Sequence, residues 1–195
     1  LVSNEYWYTR GITNAFSMST YNQNFTNFDF SARIWRYAGS QESLSNRIIV
    51  RASGTFTTAG RPYNAYVFQY NRAGEYNVLK YINGSYTVLK GWTSSGAINK
   101  GNAWNVVRVV ASGKYLYYYI NNTLVWKGED TSLASGRVGF GMYSSTLMSG
   151  EGFYVDWAKL SVLSSGTAID DEISSEQTRL NDSASEALDD ETGAI

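Results

Sequence analysis

The feature that most constrains this chain is a period of two. In "FDFSARIWR", Phe28, Phe30, Ala32 and Ile34 fall on one face and Asp29, Ser31, Arg33 and Trp35 on the other, which suits a half-buried strand and not a helix. Similar segments return about every ten residues. "RIIVRASG" sets Ile48, Val50 and Ala52 opposite Ile49 and Arg51, and "NAYVFQY" follows. "YNVLKYI" and "YTVLKGW" flank Asn83-Gly84, a dipeptide whose tolerance of positive φ suits a tight hairpin. "WNVVRVVA", "GRVGFGMYS" and "GFYVDWAKLSV" continue the series to Leu163. Gly, Asn and Ser turns separate these segments and no helical period intervenes, so residues 1–163 are expected to form an antiparallel sandwich or barrel.

"YLYYYINNTLVW" at 115–126 reads as a hairpin turning at Asn121-Asn122, since Asn tolerates left-handed geometry best among non-glycine residues. Leu116, Tyr118 and Ile120 form its core face, which leaves Tyr117 and Tyr119 on the outer face with Tyr115. Two fates are open to them. They are cross-strand partners contributing about 0.2–1 kcal/mol each, or a flat aromatic platform for sugar rings.

The chain has 195 residues and neither His nor Cys. Serine and cysteine triads, thiolate or imidazole zinc sites and disulfides are therefore excluded, and any chemistry falls to carboxylates, Tyr, Lys or Arg. No apolar run reaches the roughly 18 residues of a membrane-spanning helix. Abundant Asn, Ser, Thr, Tyr and Gly with a single Pro fit a secreted or surface protein of bacterial type, and a start without Met fits a processed or excised piece.

Charge divides the chain. Residues 1–163 carry 15 of the 16 Lys and Arg but 8 of the 17 acids, a net +7, whereas 164–195 carry Arg179 against nine acids, a net -8. In the acidic tail, Ile169, Ile173, Leu180, Ala184, Leu188 and Ile195 recur at helical steps, and "AIDDE" returns as "ALDDE". Three readings stay open: a disordered linker, the start of a coiled-coil stalk that assembles an oligomer or fibre, and an arm docking on a basic domain.

The order "FDFSARI", "IIVRAS", "YVFQY", "WNVVRVVASGKYLYYYINNTLVW", "GRVGFGMY", "YVDWAKLSV" resembles the concanavalin A-like (laminin-G-like) jelly roll of bacterial extracellular proteins over nearly all of 1–163. The resemblance implies two stacked antiparallel sheets, one concave, with ligands on the concave face or at the loops of one edge. It is specific for fold and poor for function. The laminarinases and lichenases of that fold carry a catalytic E-x-D-x-(x)-E strand, which this chain lacks. Its domain acids are Glu5, Asp29, Glu42, Glu75, Glu129, Asp130, Glu151 and Asp156, and the adjacent pair Glu129-Asp130 points apart. In 3-keto-disaccharide hydrolase-like domains Arg51 would match a functional arginine, but Val67 stands where their glutamate is expected. The resemblance also implies that Asp156 ligates a structural calcium; the alternative is a solvated acid or one paired with an arginine such as Arg10.

Trp104 and Trp157 are expected to pack, while Trp35, Trp92 and Trp126 are the ligand candidates. Arg33, Arg51 and Gln69 would hydrogen-bond a sugar beside Trp35. Nucleic acid is not expected, because the basic residues are spread singly over many strands. The reading is a non-catalytic extracellular recognition or adhesion module that binds carbohydrate through Trp35, Arg51, Gln69, Trp92, Tyr117, Tyr119 and Trp126. The alternatives are a structural domain of a fibre and a glycan hydrolase drawing carboxylates from distant strands.

Overall fold

The strand at 28–37 keeps its alternation: Phe28, Phe30, Ala32, Ile34 and Arg36 are buried and the residues between them are half-buried. The computed structural model describes residues 7–9, 14–37, 41–145 and 152–164. Among them there is no helix. The strands are β1 (Trp7–Thr9), β2 (Ala15–Thr20), β3 (Phe28–Tyr37), β4 (Asn46–Ala52), β5 (Ala65–Tyr70), β6 (Glu75–Ile82), β7 (Ser85–Ser94), β8 (Asn105–Ser112), β9 (Tyr115–Ile120), β10 (Thr123–Glu129), β11 (Arg137–Ser144) and β12 (Gly152–Val162). They form two six-stranded antiparallel sheets, ordered β1-β12-β3-β8-β9-β10 (sheet A) and β2-β11-β4-β5-β6-β7 (sheet B). The chain divides into two units at Leu163/Ser164. The readings made for the acidic tail, and for Glu5, Arg10 and Glu151, lie outside the described residues.

The inner faces of the two sheets make the main core. Phe28, Phe30, Ile34, Val107, Val109, Leu116, Tyr118 and Ile120 meet Ile48, Val50, Tyr66, Phe68 and Val78, and Phe68 and Tyr118 bring their rings within 5.1 Å. Each such side chain contributes about 1.5–3 kcal/mol of burial. Asn83-Gly84 and Asn121-Asn122 both take positive φ as hairpin turns.

The phase expected for 47–54 fails at one residue. Ile48 and Val50 face the main core, but Ala52 joins Ile49 in a second apolar cluster. The cause is Arg51, which has a φ of +51° and so inserts a left-handed step that shifts the alternation by one. Its guanidinium turns inward and donates to three backbone carbonyls: Leu133 at 2.9 Å, Thr26 at 2.9 Å and Gly113 at 2.7 Å. One buried cation thereby ties sheet B to the loops that flank sheet A.

The second cluster, Ile49, Ala52, Ala65, Val67, Leu79 and Tyr81, lies on the outer side of sheet B and is still buried. Its cover is the segment 53–64. At one edge of the sheet the Phe16 amide donates to Ala59 O at 3.2 Å, and at the other the Gly84 amide donates to Tyr63 O at 2.8 Å. Contacts at both edges carry this strap across the face. Gly60 is the fitting at the first edge: its φ is +71°, and a Cβ there would stand 2.3 Å from Phe16 O, so only glycine docks. With both faces covered, β4 and β5 are buried along their whole length.

The outer face of sheet A carries ion pairs among its aromatic side chains. Arg108 donates to both oxygens of Asp29 at 2.9 and 2.8 Å, Arg33 pairs with Asp156, and Lys114 reaches Glu129 at 2.7 Å.

Candidate functional site

Strand register builds the candidate site. Arg47 pairs with Gln69, and Gln69 with Asn77, so three polar side chains form one row across β4, β5 and β6. The next row on the same face is Ile49, Val67 and Leu79. Above this floor lies a groove of about 580 Å³, open beside the strap. Tyr81, Tyr86 and Trp92 wall one side, Phe16 and Tyr143 the other, and Arg61 reaches in from the strap. Phe16 and Tyr143 pack at 4.7 Å. Trp92 is 45% exposed, an aromatic surface open to a ligand.

The floor is under-satisfied. Arg47 is 4% exposed, lies 3.9 Å over the Phe16 ring and donates Nη2 to Ser45 Oγ at 3.0 Å. Its Nε and Nη1, and Asn77 Oδ1, find no hydrogen-bond partner among the described residues. A buried polar atom without a partner costs about 1–3 kcal/mol, and such atoms at an open groove are satisfied by water or by a bound group. Burial lowers the Arg47 pKa to about 10, the Tyr81 phenol opposes that shift, and Arg36 and Arg61 add to it. The guanidinium remains charged at neutral pH. Another cavity, about 610 Å³, opens between β12 and Tyr21–Phe25; Phe30, Phe140, Leu160 and Val162 line it and no charged side chain does.

The residues singled out in the sequence are scattered. Gln69 and Trp92 meet in the groove. Trp35 lies on the other sheet, its ring tilted against Tyr154 at 4.7 Å and Trp104 at 5.9 Å. Arg33 covers Trp104 at 4.7 Å. Arg51 does not stand beside Trp35, because its guanidinium is inside the sandwich on its three carbonyls. Trp126 turns inward through a bulge between Leu124 and Trp126 and packs 5.8 Å from Phe68. Tyr117 and Tyr119 are on the outer face of sheet A and buried, with Arg108 lying 5.2 Å over the Tyr119 ring. Trp157, expected to pack, is 41% exposed.

Asp156 accepts from Arg33, and no group of three acids that could hold a metal occurs among the described residues. A calcium site there would draw its other ligands from backbone carbonyls rather than from a cluster of acids.

Arg47, Asn77 and Arg61 were not singled out by the sequence. Each of the first two is a polar residue in phase with an apolar stripe, Arg47 with Ile49 and Asn77 with Leu79. That signal acquires meaning once the register lines them up with Gln69.

In sequence the chain matches no family model and no curated protein. In structure it is similar to the carbohydrate-binding module CBM66 of Bacillus subtilis, with a TM-score of 0.61, 13% identity, and coverage of 80% of this chain and 92% of that one. It is similar also to a β-glucanase of Bacillus licheniformis, with a TM-score of 0.57, 9% identity, and coverage of 75% and 71%. A prokaryotic β-1,3-1,4-glucanase (lichenase) derived from a mouse hindgut metagenome gives 0.57, 8%, and 75% and 71%. At these identities the shared property is the fold, and the described strands are a concanavalin A-like two-sheet sandwich.

Proposed function

We propose that this domain is a non-catalytic, extracellular glycan-recognition module that holds sugar rings in the groove on sheet B. The observation that carries the reading is the buried row Arg47, Gln69 and Asn77, of which Arg47 and Asn77 hold polar atoms without partners among the described residues, beneath an open Trp92 and Tyr86 wall. Sugar sites pair an aromatic surface, which takes the apolar face of the ring, with planar polar groups that bond its hydroxyls. The structural likeness to a carbohydrate-binding module and to glucanases is in keeping with it.

Binding is favoured over hydrolysis by where the carboxylates lie. A two-carboxylate mechanism needs acids about 5–10 Å apart across the sugar, and among the described residues no acid lines the groove. Asp29, Glu129, Asp130 and Asp156 are held by Arg108, Lys114, Lys80 and Arg33, and Glu75 accepts from Asn71. A screen of the protein against immobilised glycans, followed by titration of Trp92→Ala, tests the proposal. Loss of one stacked ring should weaken binding about tenfold in a folded protein. Unchanged affinity in Trp92→Ala, or turnover of any bound glycan, would overturn it.

A further inference from the structure

We infer that the sugar bound in this groove carries an anionic group, a carboxylate or a sulfate, which docks between Arg47 and Arg61; this rests on the glycan reading above. Among the described residues the groove lining contains two guanidinium groups and no carboxylate. Both cations gather at one ring, Arg47 at 3.9 Å and Arg61 at 5.9 Å from the centre of Phe16. A π-face attracts cations but neutralises neither. Neither arginine makes an ion pair among the described residues.

The fold pays to keep them there. Arg47 is almost fully buried, retains unpartnered Nε and Nη1, and is further disfavoured in its charged form by Arg61. Arg61 sits in the strap just after Gly60, whose docking against Phe16 O admits no side chain. The Arg61 backbone is fixed on Thr57: Arg61 N donates to Thr57 Oγ1 at 3.1 Å, and Thr57 N donates to Arg61 O at 2.8 Å. A neutral sugar would satisfy Asn77 and Gln69 through its hydroxyls and leave both cations uncompensated. An oxyanion meets a guanidinium in matched, charge-assisted geometry and cancels the repulsion between the two arginines.

The test uses the whole chain and two matched pairs of polymers: polygalacturonate against its methyl ester, and dextran sulfate against dextran. Isothermal titration should show at least one acidic polymer binding roughly tenfold or more tightly than its uncharged counterpart, and which acidic polymer binds names the group. Because residues 1–163 carry a net +7, non-specific attraction of polyanions is controlled by two variants of equal charge change. Arg61→Gln, in the groove, should weaken binding about fivefold or more, while Lys159→Gln, on the other sheet, should not. Both positions are exposed, so neither variant should shift the melting temperature. Equal weakening by Lys159→Gln, or equal affinity for charged and uncharged polymers, would overturn the inference. If an uncharged polymer binds and Trp92→Ala abolishes that binding, the glycan reading stands and the anionic one falls. If no polymer binds, both fall.

Discussion

Arg51 gives the sharpest prediction, because its role follows from its contacts alone. Replacing it by Met keeps an unbranched chain of similar length and removes donors to Thr26 O, Gly113 O and Leu133 O. Hydrogen bonds from a charged donor contribute about 1.5–3 kcal/mol each. The three share one guanidinium and are not additive, so the expected loss is about 3–5 kcal/mol, the range found when a buried charge network is broken. That is a large part of the 5–15 kcal/mol typical of a domain. Urea denaturation should show the midpoint falling with an unchanged slope. Arg51→Lys should recover only part of the loss, since an ammonium at one point does not span three carbonyls on separate loops. Glycan affinity of the folded variants should match the parent. A loss below about 1 kcal/mol in Arg51→Met would refute the clamp, and a selective loss of binding would return Arg51 to the ligand surface.

Three further outcomes are expected. Burial pushes the Asp130 carboxyl up, but Lys80, Tyr66 and Ser132 outweigh it and hold its pKa below the ordinary range. Its contribution is therefore complete above about pH 4 and fades as pH falls through the depressed value, so Asp130→Asn should cost about 1–3 kcal/mol at pH 7 and progressively less in acid; a pH-independent gap would contradict this. Tyr117→Phe should be nearly silent, whereas Tyr117→Ala should cost about 2–4 kcal/mol in urea unfolding with no selective loss of glycan binding, and a several-fold loss in a folded variant would revive the platform reading. Chelator should leave the melting temperature unchanged because Arg33 already neutralises Asp156; a calcium-induced rise abolished by Asp156→Ala would establish a metal site.

What was legible in the sequence was whatever depends on neighbours along the chain. Phe28 to Ile34 announces a strand because one side is dry, and Asn83-Gly84 and Asn121-Asn122 announce turns because few residues accept positive φ. Arg51 gives no such notice. Its left-handed backbone is held by carbonyls 25, 62 and 82 residues away, and arginine has no preference for that conformation. Trp126 faces the core because a bulge, which has no reliable composition, changes its phase. The groove is half visible in the sequence: Gln69 and Trp92 stand out as polar and aromatic candidates, but Arg47 and Asn77 become their companions only through cross-strand register. The strap was hidden altogether, since "SGTFTTAGRPYN" reads as an ordinary loop until its two edge contacts are known.

The strand order also governs when this chain can fold. In sheet A, β12 lies between β1 and β3, and in sheet B, β11 lies between β2 and β4; Phe28 is paired with Val162. Each sheet thus keeps its earliest strands apart until the last strands of the domain arrive between them. A chain lacking Gly152–Val162 leaves β3 without its β12 neighbour along ten paired residues and the core without Phe153 and Val155, and long-range pairing of this kind is slow to form. The two sheets of this domain consequently close only when its last two strands, β11 and β12, are present.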